Sequence, residues 1–466
     1  MVNIRLITGS FLIVSISGCV SYQTKPLVPK AIFREIERSR QTLFKSESEA
    51  FTFPKAIEIM NQSSPELAEV RSEYEKFNSI AKTKTPWPNP SVELGPDIGS
   101  NLGAGATNKT QPFVGLGFTI PLGGKLKKND DINIAIAQRA FVETQGKHRE
   151  LYLDLRESFT KRYIASRKQE IQQVLVYSSK KAIEVADSLM KAGGSTALDR
   201  AMIVLEGQKA ELELFDLNNE LNESQSSLSI LLGLDASKFG KINKNSMPKI
   251  VKSIPQFNKL KSILINNHIN LVRLRYDYEI AEKSLRLEIS KQYPDIQFGT
   301  EREREVGGKS TTLGLRLGIE IPFFDRNHQG IVEASKEREH IRKKYTTAVH
   351  KALSNLEKNY KITETNINRY EFITNTVVKS ANENLKIAKQ SMESGGIKVL
   401  QYLDVLRTYQ EIMKDTTTIE SEVRMSWINL ERVLGYPITQ FPNERDFSIS
   451  LHPQSNSNIQ ENSNAK

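Results

Sequence analysis

Two stretches of the chain contain no proline, one between Pro121 and Pro248 and one between Pro322 and Pro437. An interior proline costs a helix about 3 kcal/mol or more, because it removes a hydrogen bond and its ring clashes with the preceding turn. Gaps of this length admit helices far longer than a compact domain holds. The spacing of apolar and small residues fills them. Ile171, Leu175, Ser178, Ala182, Val185 and Leu189 step by four and three, as do Ile367, Tyr370, Thr374, Val377 and Ala381, and later Val423, Trp427, Leu430 and Leu434. Such a repeat is a coiled-coil seam. A helix over 128–192 would be roughly 95 Å long at about 1.5 Å per residue.

Each rod ends at a glycine pair, Gly193-Gly194 followed by Ser195, and Gly395-Gly396 followed by Ile397. Glycine accepts the positive φ that closes a helix C-terminus, and Ser195 or Thr196 can cap the returning helix. Gly194 and Gly396 lie 202 positions apart, and the same offset carries Leu198 onto Leu400 and Gly233 onto Gly435. The chain therefore builds one helical hairpin twice. Upstream of each hairpin the period changes from 3.5 to two. Val114, Leu116, Phe118 and Ile120 alternate with Gly115, Gly117 and Thr119. Leu313, Leu315, Leu317, Ile319 and Ile321 alternate with Thr312, Gly314, Arg316, Gly318 and Glu320. About ten residues of this pattern suit a tilted strand crossing a bilayer; a soluble hairpin with one buried face is the alternative. Arg302 and Arg304 share a face with Ile296 and Phe298, which sets them at the external headgroups. Pro90, Pro121, Pro294 and Pro322 mark the junctions between strands and helices.

The expected order is a helix at 54–85, strands within 91–120, a long helix at 128–192 and a return at 197–233. It recurs as a helix at 258–291, strands within 295–321, a long helix at 329–394 and a return at 398–434. The domains follow: 1–18 a signal peptide, 19–51 a polar linker, 52–235 the first repeat, 236–257 a linker, 258–436 the second repeat and 437–466 a polar tail. The fold class is mainly α with a small β part.

With 466 residues, 38% hydrophobic and 26% charged, the chain has much solvated surface. Its formal charge of +10 comes from basic residues interleaved with acidic ones, as in "KEREHIRKK". That is the mark of solvated helix faces and not of a nucleic-acid patch, and no nucleic-acid-binding module is present. The "LGAGAT" segment lacks the third glycine and the following helix of a phosphate loop. No catalytic constellation stands out, so an enzyme and a cofactor are not expected. The six histidines form no i,i+4 pair of the kind that binds a metal from one helix face. Met190 and Met392 occupy matching places before the glycine pairs, where apolar packing is the expected role and not metal ligation.

The single cysteine, Cys19, follows a basic start and an apolar stretch from Leu6 to Ile16. This is a secretory signal, too short to span a bilayer. Ile16-Ser17-Gly18-Cys19 resembles a bacterial lipobox, which implies diacylglycerol on the Cys19 thiol; an ordinary signal with an incidental cysteine is the alternative. Four strands cannot close a barrel, and an open sheet edge in lipid leaves backbone groups unsatisfied. Two copies would give eight strands and a filled interior, three would give twelve and a lumen. A cyclic trimer is the smallest sensible pore.

The motifs "SSPELAEVRSEYE", "PWPNPSVELG", "IPLGGKLKK", "IPFFDRNHQGIVEA" and "SGGIKVLQYLDVLRTY" resemble TolC-like outer-membrane efflux proteins over residues 52–436. The resemblance implies a homotrimer with a twelve-stranded β-barrel and a periplasmic α-barrel. It would be the passive exit duct of a tripartite pump, joined by a periplasmic adaptor to an inner-membrane transporter. The tips at Gly193, Gly194, Ser195, Gly395, Gly396 and Ile397 would then dock the adaptor. A carboxylate ring at that end would draw on Asp199 and Asp404, with Gln401 where the family often has a second aspartate. Alternatively Asp199 caps its helix and Asp404 pairs with Arg407. The "PLGGKLKK" and "PFFDRNHQGIVEA" segments are most similar to the heavy-metal (Czc or Cus type) branch, whose partner is a resistance-nodulation-division transporter. Multidrug or type I protein export is the alternative within the class. A surface-anchored coiled-coil lipoprotein acting as adhesin or spacer is the alternative outside it.

Overall fold

A computed structural model describes residues 22–42, 51–99, 109–192, 194, 196–235, 247, 249–304 and 311–439. Two compact units are present, Met1–Ser46 and Glu47–Lys466. The first contains α1 (Pro29–Thr42), where a polar linker was expected. Its Ile32, Phe33 and Ile36 recur within two turns, enough to give a helix one apolar face.

The second unit holds the two copies. The first runs α2 (Phe53–Ser63), α3 (Pro65–Lys82), β1 (Ser91–Gly99), β2 (Lys109–Ile120), α4 (Lys125–Lys191) and α5 (Ala197–Leu232). The second runs α6 (Phe257–Asn267), α7 (Ile269–Ser290), β3 (Ile296–Arg304), β4 (Thr311–Ile319), α8 (His328–Phe372), a π turn (Ile373–Val377), α9 (Val378–Glu393) and α10 (Val399–Leu434). The single helices expected at 54–85 and 258–291 are each two. Ser64 leaves the helical region (φ −64°, ψ 117°) because Pro65 follows it, and its hydroxyl accepts from the Leu67 N–H. His268 does the same without a proline (φ −61°, ψ 114°), its imidazole accepting from the Leu271 N–H.

The duplication extends to packing. The Phe53 and Phe159 rings meet edge-on at 5.4 Å and 66°, and Phe257 meets Tyr360 at 5.3 Å and 68°. Helices before the strands thus correspond at an offset of 204, and the first parts of α4 and α8 at 201. Leu151 and Leu155 are buried where Ala352 and Leu356 are, which holds to 201. Nearer the tip, Ser179 and Ala186 correspond to Ala381 and Ala388, an offset of 202. One extra residue separates the two registers, and the π turn lies between them. A single π turn is how a helix accommodates one inserted residue without losing its buried face.

Helix α4 packs along α5 and also along α10, while α7 lies between α4 and α8. Because the tip half of α4 packs on both α5 and α10, its buried stripe is broader there than the expected seam and turned from it. Gln172, Leu175, Val176, Ser179, Ala182 and Ala186 are buried, whereas Val185 and Leu189 are exposed. The seam at Val423, Trp427, Leu430 and Leu434 is as expected, all four buried, with the Trp427 indole donating to the Val251 carbonyl at 3.1 Å. The four strands form one antiparallel sheet in the order β1-β2-β3-β4, so β1 and β4 are its edges.

Candidate functional site

The sheet has two unlike faces, fixed by register. Val92 lies opposite Leu116, Leu94 opposite Val114, Phe118 opposite Phe298, and Phe298 opposite Leu317. With Leu313, Leu315 and Ile319 they form a continuous apolar face, and Leu313, Leu315 and Leu317 are each 70% exposed or more. Burial of that much aliphatic surface needs an apolar surrounding. The other face carries Glu93, Gly115, Gly117, Gly299, Gly314, Arg316 and Gly318, short or polar residues that leave space along it. Arg302 pairs with Leu313 and Arg304 with Thr311, at the end of the apolar face away from the helices. The glycine-rich segment 100–108 and the 305–310 turn lie outside the described residues.

At the opposite end the strands meet the helices. Pro90 is exposed, while Pro121, Pro294 and Pro322 are half-buried. Trp87, Tyr293, Phe323 and Phe324 stand exposed there, Phe324 at 97%, the place where membrane-spanning barrels carry an aromatic girdle. Three polar ties fix this junction. Asp130 accepts from the Thr85 hydroxyl (2.5 Å) and N–H (2.7 Å), bonds that hold its carboxyl below the usual range. Asp295 accepts from Lys125 (2.6 Å) and from the Leu122 N–H (3.2 Å), tying the second copy to the first. The Asn327 amide donates to the Glu288 carbonyl at 2.9 Å. The "PLGGKLKK" and "PFFDRNHQG" segments supply the backbone these turns require: Gly123, Gly124 and Asn327 all have φ between 56° and 72°.

At the far tip, Gly193 and Ser195 lie outside the described residues. Thr196 caps α5, its hydroxyl accepting from the Asp199 N–H (3.1 Å) while Asp199 accepts from the Thr196 N–H (3.3 Å). Those bonds, the Thr196 side chain's first, together with Lys398 hold the Asp199 carboxyl below its usual range. Asp199 also lies 3.8 Å from Lys398, which links the two hairpins. Gln401 accepts from the Lys398 N–H at 3.0 Å and so caps α10. Asp404 pairs with Arg407 at 2.9 Å, and Arg407 reaches Glu206 of α5 at 3.6 Å. Of the glycines expected to turn, Gly395 has a left-handed φ of 77°; Gly194 and Gly396 do not, and Gly396 sits where a Cβ would be 3.3 Å from the Ser391 carbonyl. Ile397 is half-buried beside α9 and α10. Between α5 and α10 runs a groove of about 870 Å³ with Met202, Leu205 and Leu400 in its wall and Glu206, Asp404, Arg407 and Glu411 about it.

Sequence reasoning missed the ties that join the two copies midway. Arg156 of α4 bonds Glu431 of α10 at 2.6 Å, both nearly buried. Arg167 bonds Glu420 at 3.0 Å, and Glu420 also accepts from Arg424, with Tyr163 stacked beside both guanidinium groups. Each pair of partners is eleven residues apart along its own helix, about three turns. That regular spacing of a charge on an apolar face was the available signal.

Among the described residues no helix is long and apolar enough to cross a membrane, and no cluster of ligating side chains could hold a metal ion. A long helical body carrying a small sheet with one apolar face and two open edges is the fold of TolC-like outer-membrane channels. The solved structures agree. CusC superposes with a TM-score of 0.66 at 15% identity, over 90% of this chain and 99% of its own. VceC of Vibrio cholerae gives 0.64 at 14% over 83% and 97%, and a membrane protein of Pseudomonas aeruginosa 0.67 at 17% over 82% and 90%. The cobalt-zinc-cadmium resistance protein CzcC of Cupriavidus metallidurans is 22% identical over 326 residues, 69% of this chain and 76% of that protein. The family model described as outer membrane efflux protein matches residues 260–436, the second copy.

Proposed function

We propose that this chain assembles as a homotrimer into the outer-membrane exit duct of a tripartite efflux pump. Its sheets would close a twelve-stranded barrel and its hairpins a helical barrel in the periplasm, with a lipid anchor on Cys19. The observation that carries this reading is the sheet: its apolar face suits lipid, and its edges β1 and β4 are free to pair with neighbouring copies. Open edges do not persist in a bilayer, so closure by repetition is the economical solution.

The tips around Gly194, Gly395, Gly396 and Ile397 serve as the docking end for a periplasmic adaptor and an inner-membrane transporter. Asp199 and Asp404 sit at the narrow end of the duct with their cationic partners Lys398 and Arg407. The cargo is heavy-metal cations. Support for that class comes from the motif resemblance and from the likeness to the cobalt-zinc-cadmium resistance protein and to CusC. The duct needs no metal site of its own to conduct them. Deleting the gene and comparing tolerance to zinc, cobalt, cadmium, copper and drugs tests the cargo. Lost metal tolerance supports it, and altered drug tolerance with unchanged metal tolerance overturns it in favour of multidrug export. Channel function is tested by conductance of the purified protein in planar bilayers.

A further inference from the structure

The duplication contains an interface that is filled once within the chain and left open once. Inside the chain, α7 packs on α4. Arg139 lies 3.3 Å from Asp277, Glu143 lies 4.0 Å from Arg273, and the helices come so close at Gly146 that a Cβ there would be 2.4 Å from the Ile269 side chain. The offsets fixed by the two aromatic pairs, 201 for α4 and α8 and 204 for α3 and α7, carry this interface onto other residues. Arg139, Glu143 and Gly146 become His340, Lys344 and Thr347 of α8. Ile269, Arg273 and Asp277 become Pro65, Glu69 and Glu73 of α3.

Within one chain those two faces cannot meet, because α8 is the last helix of the series α3-α4-α7-α8 and α3 is the first. Both are exposed. Glu69, Glu73, His340 and Lys344 make no ion pair among the described residues. Lys344 faces the sign of Glu69 and His340 can donate to Glu73, and at the Glu143–Arg273 position the signs are reversed: the carboxylate moves from the long helix to the short one. The steric pair also changes hands, from glycine against isoleucine to threonine against proline.

We propose that the face of α8 carrying His340, Lys344 and Thr347 docks α3 of a second copy of this chain. Lys344 then pairs with Glu69 of the partner subunit, His340 with Glu73 of the partner subunit, and Thr347 packs on Pro65 of the partner subunit. This rests on the trimeric reading and adds to it the contact that sets subunit order. The reversed sign gives that order its specificity. A wrong pairing of α8 with the partner's α7 surface would set Lys344 against Arg273 of the partner subunit, and α4 on the partner's α3 would set Glu143 against Glu69 of the partner subunit. Like charges placed together reject both.

The test is a charge exchange in the full chain, read as the temperature at which detergent-purified trimers dissociate on a gel. Lys344→Glu and Glu69→Lys each lower that temperature, and the double variant restores it toward the wild-type value. Singles without effect, or a double as labile as the singles, overturn the proposal. A second arm uses Thr347→Cys with Pro65→Cys. The Cβ that Gly146 would carry is 3.4 Å from the Ile269 Cβ, close to disulfide geometry, so covalent dimers and trimers form in the double variant and in neither single one. No covalent product also overturns the proposal. A wild-type chain that is itself monomeric defeats the trimeric reading, whereas wild-type trimers indifferent to these changes defeat this contact alone.

Discussion

The Glu431→Ala variant tests the claim that a buried ion pair holds the two copies together. Glu431 is 1% and Arg156 9% exposed at the side chain, and they meet at 2.6 Å. At that separation the Coulomb attraction is about 6 kcal/mol for an effective dielectric constant of about 20. Removing both ions from water costs several kcal/mol each, so the pair as a whole is close to break-even against an apolar replacement. Removing one partner is different. The Arg156 charge stays buried without its carboxylate, and the N–H groups of Thr439 (2.6 Å) and Ile438 (3.1 Å) lose their acceptor. The expected destabilisation is about 3–5 kcal/mol. Glu431→Gln keeps an acceptor for those N–H groups and costs less, about 1.5–3 kcal/mol. Arg156→Met with Glu431→Leu returns the part of the loss that comes from the unpaired Arg156 charge, while the Thr439 and Ile438 N–H groups stay without their acceptor. Guanidinium unfolding of the detergent-solubilised protein, followed by circular dichroism, gives the order of midpoints. An alanine variant that unfolds with the wild type, or a double variant no better than the single, refutes the reasoning.

Three further outcomes are expected. At the tips, Gly395→Val strains a φ of 77° while Gly194→Ala meets nothing closer than 3.7 Å; the first costs about 1–3 kcal/mol and weakens adaptor cross-linking, the second leaves both unchanged. On the sheet, Leu315→Arg places a charge in the middle of the apolar face of β4 and costs about 2–4 kcal/mol if that face meets lipid, so the variant is lost from the outer-membrane fraction; normal recovery there contradicts a lipid-facing β4. In the helical body, burial and the nearby Arg71 and Arg149 charges push the His148 imidazole below its ordinary value, so the unfolded chain binds the extra proton. Stability is then full above about pH 6.5 and falls as the pH drops through the lowered folded value. His148→Asn keeps a polar group near Asn61 and flattens the fall between pH 7 and pH 5 in thermal melts; an unchanged slope counts against the assignment.

Much of the fold was legible because helix and strand leave different periods in a sequence. The proline-free gaps gave α4 and α5 to within three residues of their observed ends, and alternation gave all four strands with the register that puts Arg302 on the apolar face. The breaks at Ser64 and His268 were harder. Pro65 marked the first, but His268 carries no such signal, and only comparison of the copies exposes it. The π turn was hidden for a related reason: one inserted residue shifts no propensity, and its trace is a change of offset from 201 to 202 along the buried stripe.

The sequence by itself determined the duplication, the long hairpins, the amphipathic strands and the residues at which the chain turns. These follow from local rules, since period, proline and glycine act within a few residues. Tertiary structure alone decided which helices neighbour one another, and so which charges meet. Arg156 and Glu431 are 275 residues apart in the chain and touch because α10 packs on α4. At the tips the local pairs, Asp199 with Thr196 and Asp404 with Arg407, were readable as i,i+3 contacts, whereas packing alone brings Lys398 to Asp199 and Arg407 to Glu206 across the hairpins. Long-range contact depends on the burial of whole helix faces, and no local pattern records it.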